Sequence, residues 1–297
     1  MQQTRAQRLA PLALIGVAVV WGAAFVLMKD AIKAQPIFDF LGTRFCIAAL
    51  IMLAAKPKAL AKVSKKFAWQ GIFLGVLLAI AYYTQTVGLQ LSSAAIAGFI
   101  TGLYVVLSPL FIWLFLKKKI DRRVVIGVAF ATVGLGFISI TGLSFELPHL
   151  WLIACAVFFS LHIVGLARWS PGQDAYALTL IQLGTMGIIN MVVALVQGYH
   201  APVGFDGWFA ILFTAIFSTA LAFFVQTWAQ GIMDSSRVAI YLTTEVIAAA
   251  AISVAVGQEV LQVKTIIGGA LMLVAMVVVE APIRGRSRDV PLEQFPH

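Results

Sequence analysis

Ala81-Tyr82-Tyr83-Thr84-Gln85-Thr86 returns 141 residues later as Ala222-Phe223-Phe224-Val225-Gln226-Thr227. The same offset carries Gly127 onto Gly268. An offset of 138 carries Leu12-Ala13-Leu14-Ile15 onto Leu150-Trp151-Leu152-Ile153. Two nearly equal offsets in a chain of 297 residues mean that one unit of about half that length is written twice.

The composition says what the unit is made for. Hydrophobic residues make up 61% of the chain and charged residues 11%, against about 25% charged in ordinary soluble domains. Ten apolar segments of roughly spanning length follow one another, near 11–29, 38–55, 69–90, 94–116, 123–141, 149–168, 175–197, 207–230, 237–256 and 264–281. The first follows Arg5 and Arg8 as a signal peptide would, but it runs on to about Met28 with no small-residue cleavage site, so it is read as a span. The segments are too long and unbroken for barrel strands, so helices are expected. The expected fold is an all-α integral membrane protein, with ten transmembrane helices as two inverted-topology five-helix repeats. The repeats are placed at 1–145 and 146–284, with a cytoplasmic tail at 285–297. Inversion follows from arithmetic: a unit that crosses five times leaves its successor upside down.

Charge sets the orientation. With the N-terminus in the cytoplasm, inside segments hold 17 of the 21 Lys and Arg, including Lys56, Lys58, Lys62, Lys65, Lys66 and Lys117, Lys118, Lys119, Arg122, Arg123. Outside loops hold three, Lys29, Lys33 and Lys264, and Arg44 lies within a span. That asymmetry places both termini in the cytoplasm, and a bacterial inner membrane is the expected home. The net charge of +9 is therefore a topology signal, and a nucleic-acid partner is not expected. Cys46 and Cys155 each lie inside an apolar segment and read as packed thiols. The expected partners are a small-molecule substrate and the lipid bilayer, with the chain as monomer or homodimer.

Several short motifs add a resemblance. Val20-Trp21-Gly22, Thr43-Arg44-Phe45, Ser108-Pro109, Ser218-Thr219-Ala220-Leu221-Ala222-Phe223, and Glu245 followed by Gly257-Gln258-Glu259 occur in this order. In this the chain resembles the drug/metabolite transporter superfamily, in its ten-helix EamA-type branch. The resemblance covers nearly the whole chain. It departs from the family pattern at Val246, where a proline often follows the ninth-helix glutamate, and at Lys118, where a glutamate is usual. The resemblance implies a secondary transporter working by alternating access, and among the family's substrates amino acids, including aromatic ones, are the expected export cargo. The alternative is a multidrug or lipophilic-cation exporter. An integral-membrane enzyme or receptor is the remote third reading. The chain shows no phosphate loop, no His-Glu-x-x-His pair and no nucleophile elbow, so no catalytic residue, metal or cofactor is expected.

Ionisable side chains inside spans cost about 2.5–3.5 kcal/mol on insertion scales, so each should face a cavity or a partner. Glu245 lies roughly 12 Å into its span and Arg44 roughly 9 Å, at 1.5 Å per residue. A carboxylate and a guanidinium suit the two ends of a zwitterion. The competing readings are snorkelling for Arg44 and a helix–helix hydrogen bond for Glu245; a proton-coupling role for Glu245 is a further expectation. Tyr82 and Thr86 share a helix face, with Tyr83 and Gln85 beside them, and their second-copy counterparts include Gln226. Trp21, Tyr104 and Tyr241 complete the candidate substrate site. The 141 offset sets Tyr104 against Glu245, and the 138 offset sets Arg44 against Gln182. His162 is a proton-relay candidate or a packed neutral histidine. Asn190 and Gln230 read as interhelical links. Gly127 and Ala131 stand at four-residue spacing, Gly268-Gly269-Ala270 of the segment to Met272 is likewise small, and both segments read as scaffold, with a dimer contact as a further expectation.

Overall fold

The computed structural model describes residues 5–91, 94–139, 147–257 and 263–280, and those residues are helical with short connections. In chain order the helices are α1 (Arg5–Ala34), α2 (Ile37–Ala55), α3 (Lys65–Leu91), α4 (Ala94–Gly102), α5 (Tyr104–Leu116), α6 (Arg122–Ser139), α7 (Leu147–Trp169) and α8 (Ala175–Gln197). Then α9 (Gly204–Phe213) passes through a π-helical stretch, Thr214–Leu221, into α10 (Ala222–Ile232). The last three are α11 (Ser235–Leu242), α12 (Thr244–Ala255) and α13 (Val263–Glu280).

Among the described residues, seven stretches are long and apolar enough to cross a membrane: Ala6–Ala34, Ile37–Ala55, Lys65–Leu91, His149–Trp169, Ala175–Gln197, Gly204–Ile232 and Ser235–Ala255. Ile100–Leu116 and Ile266–Ala275 are shorter apolar helices. The expected segment 94–116 is divided at Leu103, and the expected spans 123–141 and 264–281 end in residues outside the described ones. Gln258, Glu259 and the tail from 285 also lie outside them. The surface is apolar: Trp69, Ile188, Phe205 and Val277 are among many exposed large hydrophobic side chains. Patches of this extent are untenable in water and suit a lipid environment. Polar groups are turned inward instead, with Asp39, Arg44, His162, Gln182 and Asn190 all buried. Buried hydroxyls find acceptors one turn back, as in Thr86 to the Tyr82 carbonyl (2.7 Å) and Ser160 to the Ala156 carbonyl (2.7 Å). The multi-pass membrane class is thereby established, all-helical among the described residues.

Packing joins the two halves of the chain throughout. Helix α6 lies on α13, α2 on α8, α3 on α7 and α8, α1 on α12 and α10, and α5 on α7. Gly127 and Gly268 are buried in α6 and α13, so these small residues serve packing within the chain. Two other glycines permit close approach of one helix backbone to another. A Cβ on Gly42 would lie 2.9 Å from the Met191 nitrogen of α8. A Cβ on Gly22 would lie 2.6 Å from the Ala249 nitrogen and 2.8 Å from the Glu245 carbonyl oxygen of α12. Backbone cannot yield as a flexible side chain can. Gly22→Val is therefore expected to cost at least about 1–3 kcal/mol through overpacking, seen as a lower melting temperature of the purified protein in detergent.

Helices α2 and α8 are also clasped at both ends. At one end Asp39 accepts the His200 backbone N–H (2.8 Å), Gln35 donates to the His200 carbonyl (2.8 Å), and Thr43 and Tyr199 share a hydroxyl contact of 2.9 Å. At the other end Tyr176 donates to the Met52 carbonyl (2.6 Å) and Lys56 pairs with Asp174 at 3.2 Å. Asp174 caps α8 through the N–H groups of Tyr176 and Ala177. Its partial burial opposes ionisation, but the Ala177 N–H, Lys56 and the Tyr176 N–H hold its carboxyl below the ordinary range. A depressed carboxyl stabilises the fold above its unfolded-state pKa and loses that contribution as pH falls through the lower folded-state value. Asp174→Ala should thus cost about 1 kcal/mol at neutral pH. The difference in melting temperature from the unaltered protein should shrink as pH drops below about 4.

Candidate functional site

Two helix breaks organise the interior. The first lies at Leu103 (φ −60°, ψ −11°), between α4 and α5, and the second at Thr243 (φ −63°, ψ −14°), between α11 and α12. No proline stands at either break. At the second, Thr243 and Thr244 each turn their hydroxyl onto a carbonyl three residues back, Ile240 and Tyr241, both at 2.7 Å. Such bonds compete with the helix ladder. At the first, Gly102 precedes the break and supplies little helix propensity. Tyr104 is the first residue after one break and Glu245 the second after the other.

Both face one cavity of about 50 Å³, room for a few waters. Its lining brings together Trp21, Arg44, Tyr82, Gln85, Tyr104, His162, Gln226 and Glu245, with Met28, Phe159, Ser218 and Phe223 among the rest. Tyr83 and Tyr241 stand outside that lining. Tyr83 stacks on Phe38 (4.8 Å between centroids) and meets the edge of Trp151 at 6.0 Å. Tyr241 is buried among Leu14, Val17 and Tyr104.

Arg44 is 1% exposed and is held from three directions. Its Nε donates to the Thr219 hydroxyl (2.7 Å), one terminal nitrogen to the Ser218 hydroxyl (2.8 Å), and the other to the Met28 sulfur (3.1 Å). The guanidinium carbon lies 5.3 Å from the ring centroids of both Phe45 and Tyr82. A guanidinium has five N–H donors; two hydroxyls and a sulfur take three of them here, and the Tyr82 hydroxyl is a further hydrogen-bond partner. Among the described residues no carboxylate lies within 4 Å of it. Snorkelling is thereby ruled out in this arrangement: the charge is turned into the protein and clamped there.

The clamp depends on the π-helical stretch. Its wider turn displaces the backbone, and the Ser218 carbonyl accepts the Trp21 indole N–H at 2.8 Å. Trp21 also packs on Phe223 at 5.8 Å. Tyr82 sits among Phe45, Phe159 and Phe223, with ring centroids 5.2, 5.4 and 6.0 Å away. The walls are thus largely aromatic.

His162 Nε2 lies 2.7 Å from Gln182 Oε1. The Gln182 amide nitrogen donates to the Leu178 carbonyl (3.1 Å). Its oxygen must therefore accept, and the imidazole Nε2–H donates. Gln182 stands where the first copy has Arg44, so the counterpart of the charged clamp is a neutral amide on a histidine. Glu245 is 6% exposed, and no side-chain hydrogen bond engages its carboxylate among the described residues. Nor do three His, Cys, Asp or Glu side chains gather as a metal set there.

A helix bundle of this kind, with a charged and aromatic interior, has known relatives. The model of the EamA-like transporter family matches twice, over residues 8–140 and again over 147–280. The chain belongs to the EamA-like transporter family. Among its relatives is an uncharacterized transporter of Archaeoglobus fulgidus, 33% identical over 274 residues, covering 91% of this chain and 85% of the relative. The uncharacterized transporters YvbV and YyaM of Bacillus subtilis are also similar. YvbV is 27% identical over 69% of this chain and 66% of its own length, and YyaM 25% identical over 91% and 93%. One solved crystal structure superposes with a TM-score of 0.76 over 91% of this chain and 96% of that one, at 19% identity, a likeness of fold.

Sequence reasoning left out of the site the residues that hold Arg44. Ser218 and Thr219 belong to a motif visible in the sequence, but their role needs a partner about 175 residues away. Met28 and Phe159 carried no signal that separates them from ordinary core positions.

Proposed function

We propose that this family member is a secondary transporter that exports amino acids, aromatic ones included, across the inner membrane by alternating access. The observation that carries the reading is Arg44: a buried guanidinium, clamped by neutral partners with no carboxylate beside it among the described residues, lining a cavity that also holds Glu245. A desolvated, unpaired cation is costly, so the site calls for an anionic group from the cargo. A lipophilic cation does not supply one. A zwitterion supplies a carboxylate for Arg44 and an ammonium for Glu245, and the aromatic walls suit an apolar or aromatic side chain.

The proposal takes the chain as ten spans in two inverted repeats, 1–145 and 146–284, with both termini cytoplasmic. Three features support it. The family model matches once in each half. The two helix breaks share their dihedral angles and lie 140 residues apart. The packing also exchanges between halves: α6–α13 and α2–α8 pair equivalent helices, while α3–α7 is answered by α1–α10 and α5–α7 by α1–α12. Interrupted helices at corresponding positions of inverted repeats are where such transporters hold their cargo. The cavity is too small for an amino acid, so loading requires the walls to part. The doubly clasped α2–α8 pair is the natural fixed element in that motion.

Counterflow in vesicles containing the purified protein tests the reading. Labelled amino acid should enter vesicles preloaded with the unlabelled form, faster for aromatic than for charged side chains. Efflux of lipophilic cations without amino-acid exchange would favour the multidrug alternative, and no exchange across a broad panel would sink transport of small metabolites altogether.

A further inference from the structure

We infer that Glu245, Gln226 and Tyr104 form a three-acceptor subsite that selects a primary ammonium over N-methylated nitrogen; the inference rests on the amino-acid reading above. All three line the same cavity and all three are buried, at 6%, 3% and 4% exposure. The Tyr104 hydroxyl and Gln226 Oε1 have no hydrogen-bond partner among the described residues. Buried polar atoms are rarely left so, and each needs a physical reason.

The orientation of Gln226 follows from its neighbours. Gln230 Nε2 lies 3.1 Å from the Ile163 carbonyl, which can only accept, so that nitrogen is fixed as the donor; it also donates to the Ser235 hydroxyl at 2.9 Å. Gln230 Oε1 must then be the atom that faces Gln226, and it accepts from Gln226 Nε2 at 3.3 Å. Gln226 Oε1 is left as a bare acceptor. Three residues fix this amide, and the arrangement leaves its oxygen unmatched.

A primary ammonium carries three N–H donors. The subsite offers one carboxyl group and two neutral oxygens, a set of acceptors that a quaternary nitrogen cannot use. The two breaks explain how the set is assembled. Tyr104 comes from the first repeat and Glu245 from the second, each just past the interruption of its helix, and Gln226 comes from α10. A solitary carboxylate would attract any cation, whereas the added hydrogen-bond acceptors make the site sensitive to what the nitrogen carries.

The test compares three competitors in the counterflow assay: the transported amino acid, its Nα-methyl form and its Nα-trimethyl form. The unaltered protein is expected to bind the trimethyl form at least about tenfold more weakly than the primary amine, with the methyl form between them. Tyr104→Phe and Gln226→Met should each weaken the primary amine several-fold and leave the trimethyl form unchanged, so the ratio narrows. Both changes keep the side-chain volume, and monodisperse elution together with an unchanged response to the trimethyl form guards against misfolding. Equal inhibition by all three competitors, or a ratio that survives both substitutions, overturns the subsite while amino-acid transport stands. No amino-acid counterflow in the unaltered protein overturns the transport reading and the subsite with it.

Discussion

Arg44→Met is expected to abolish amino-acid counterflow while leaving the helix bundle about as stable as before. The two outcomes part because of the way this charge is held. Among the described residues its partners are the Ser218, Thr219 and Tyr82 hydroxyls, a thioether and two aromatic rings, with no carboxylate. Replacing a buried charge by an apolar side chain of similar length removes a desolvation penalty of several kcal/mol. The Ser218 and Thr219 hydroxyls can turn to carbonyls of their own helix. Stability should therefore hold or rise. Binding should not, because the carboxylate of the cargo would enter a dry cavity with nothing to meet it. Losing one side of a desolvated charge pair costs about 2–5 kcal/mol, at least about thirtyfold in apparent affinity. The half-saturation concentration in vesicles and the melting temperature in detergent measure the two effects separately. A folded variant with unchanged amino-acid flux would make Arg44 purely structural and return the lipophilic-cation reading to the front.

Glu245→Gln carries the second large effect. The amide matches the carboxylate in shape, and the backbone here is pinned against Gly22, so the change should be confined to charge. An ammonium bound by a carboxylate gains about 1.5–3 kcal/mol from that charged hydrogen bond, and about ten- to hundredfold weaker binding is expected. The pair of variants separates the two cargo classes. An amino acid needs both residues, so flux falls in each. A lipophilic cation needs only Glu245, so its efflux should survive Arg44→Met and fail in Glu245→Gln. Counterflow and cation efflux, measured on the same vesicle preparations, give four results of which only one pattern fits each cargo.

Much of the molecule is legible in the sequence. Hydropathy marks the helices, because each must satisfy its own backbone in an apolar medium, and that requirement is local. Arg44 and Glu245 stood out because a charge within a span demands a reason. The same logic was incomplete for aromatic residues. Tyr82 and Tyr83 are neighbours of like chemistry, yet one joins the cavity and the other stacks outside it on Phe38. Without charge or strong periodicity, nothing in the sequence says which way such a ring points. The break at Leu103 was also missed, since 94–116 reads as one continuous apolar run.

The sequence by itself determined the membrane class, the doubled unit and the residues whose burial needs explaining. Those properties depend on composition and on spacing along the chain. Only the tertiary structure decided that Arg44 is clamped by a π-helical stretch far along the chain, that Tyr104 and Glu245 face one cavity from two broken helices, and that α2 and α8 are fastened at both ends. Each of these is a contact between segments separated by many residues. Such contacts arise from how helix faces fit together, and a local pattern of apolar and polar residues fits many partners until packing selects one.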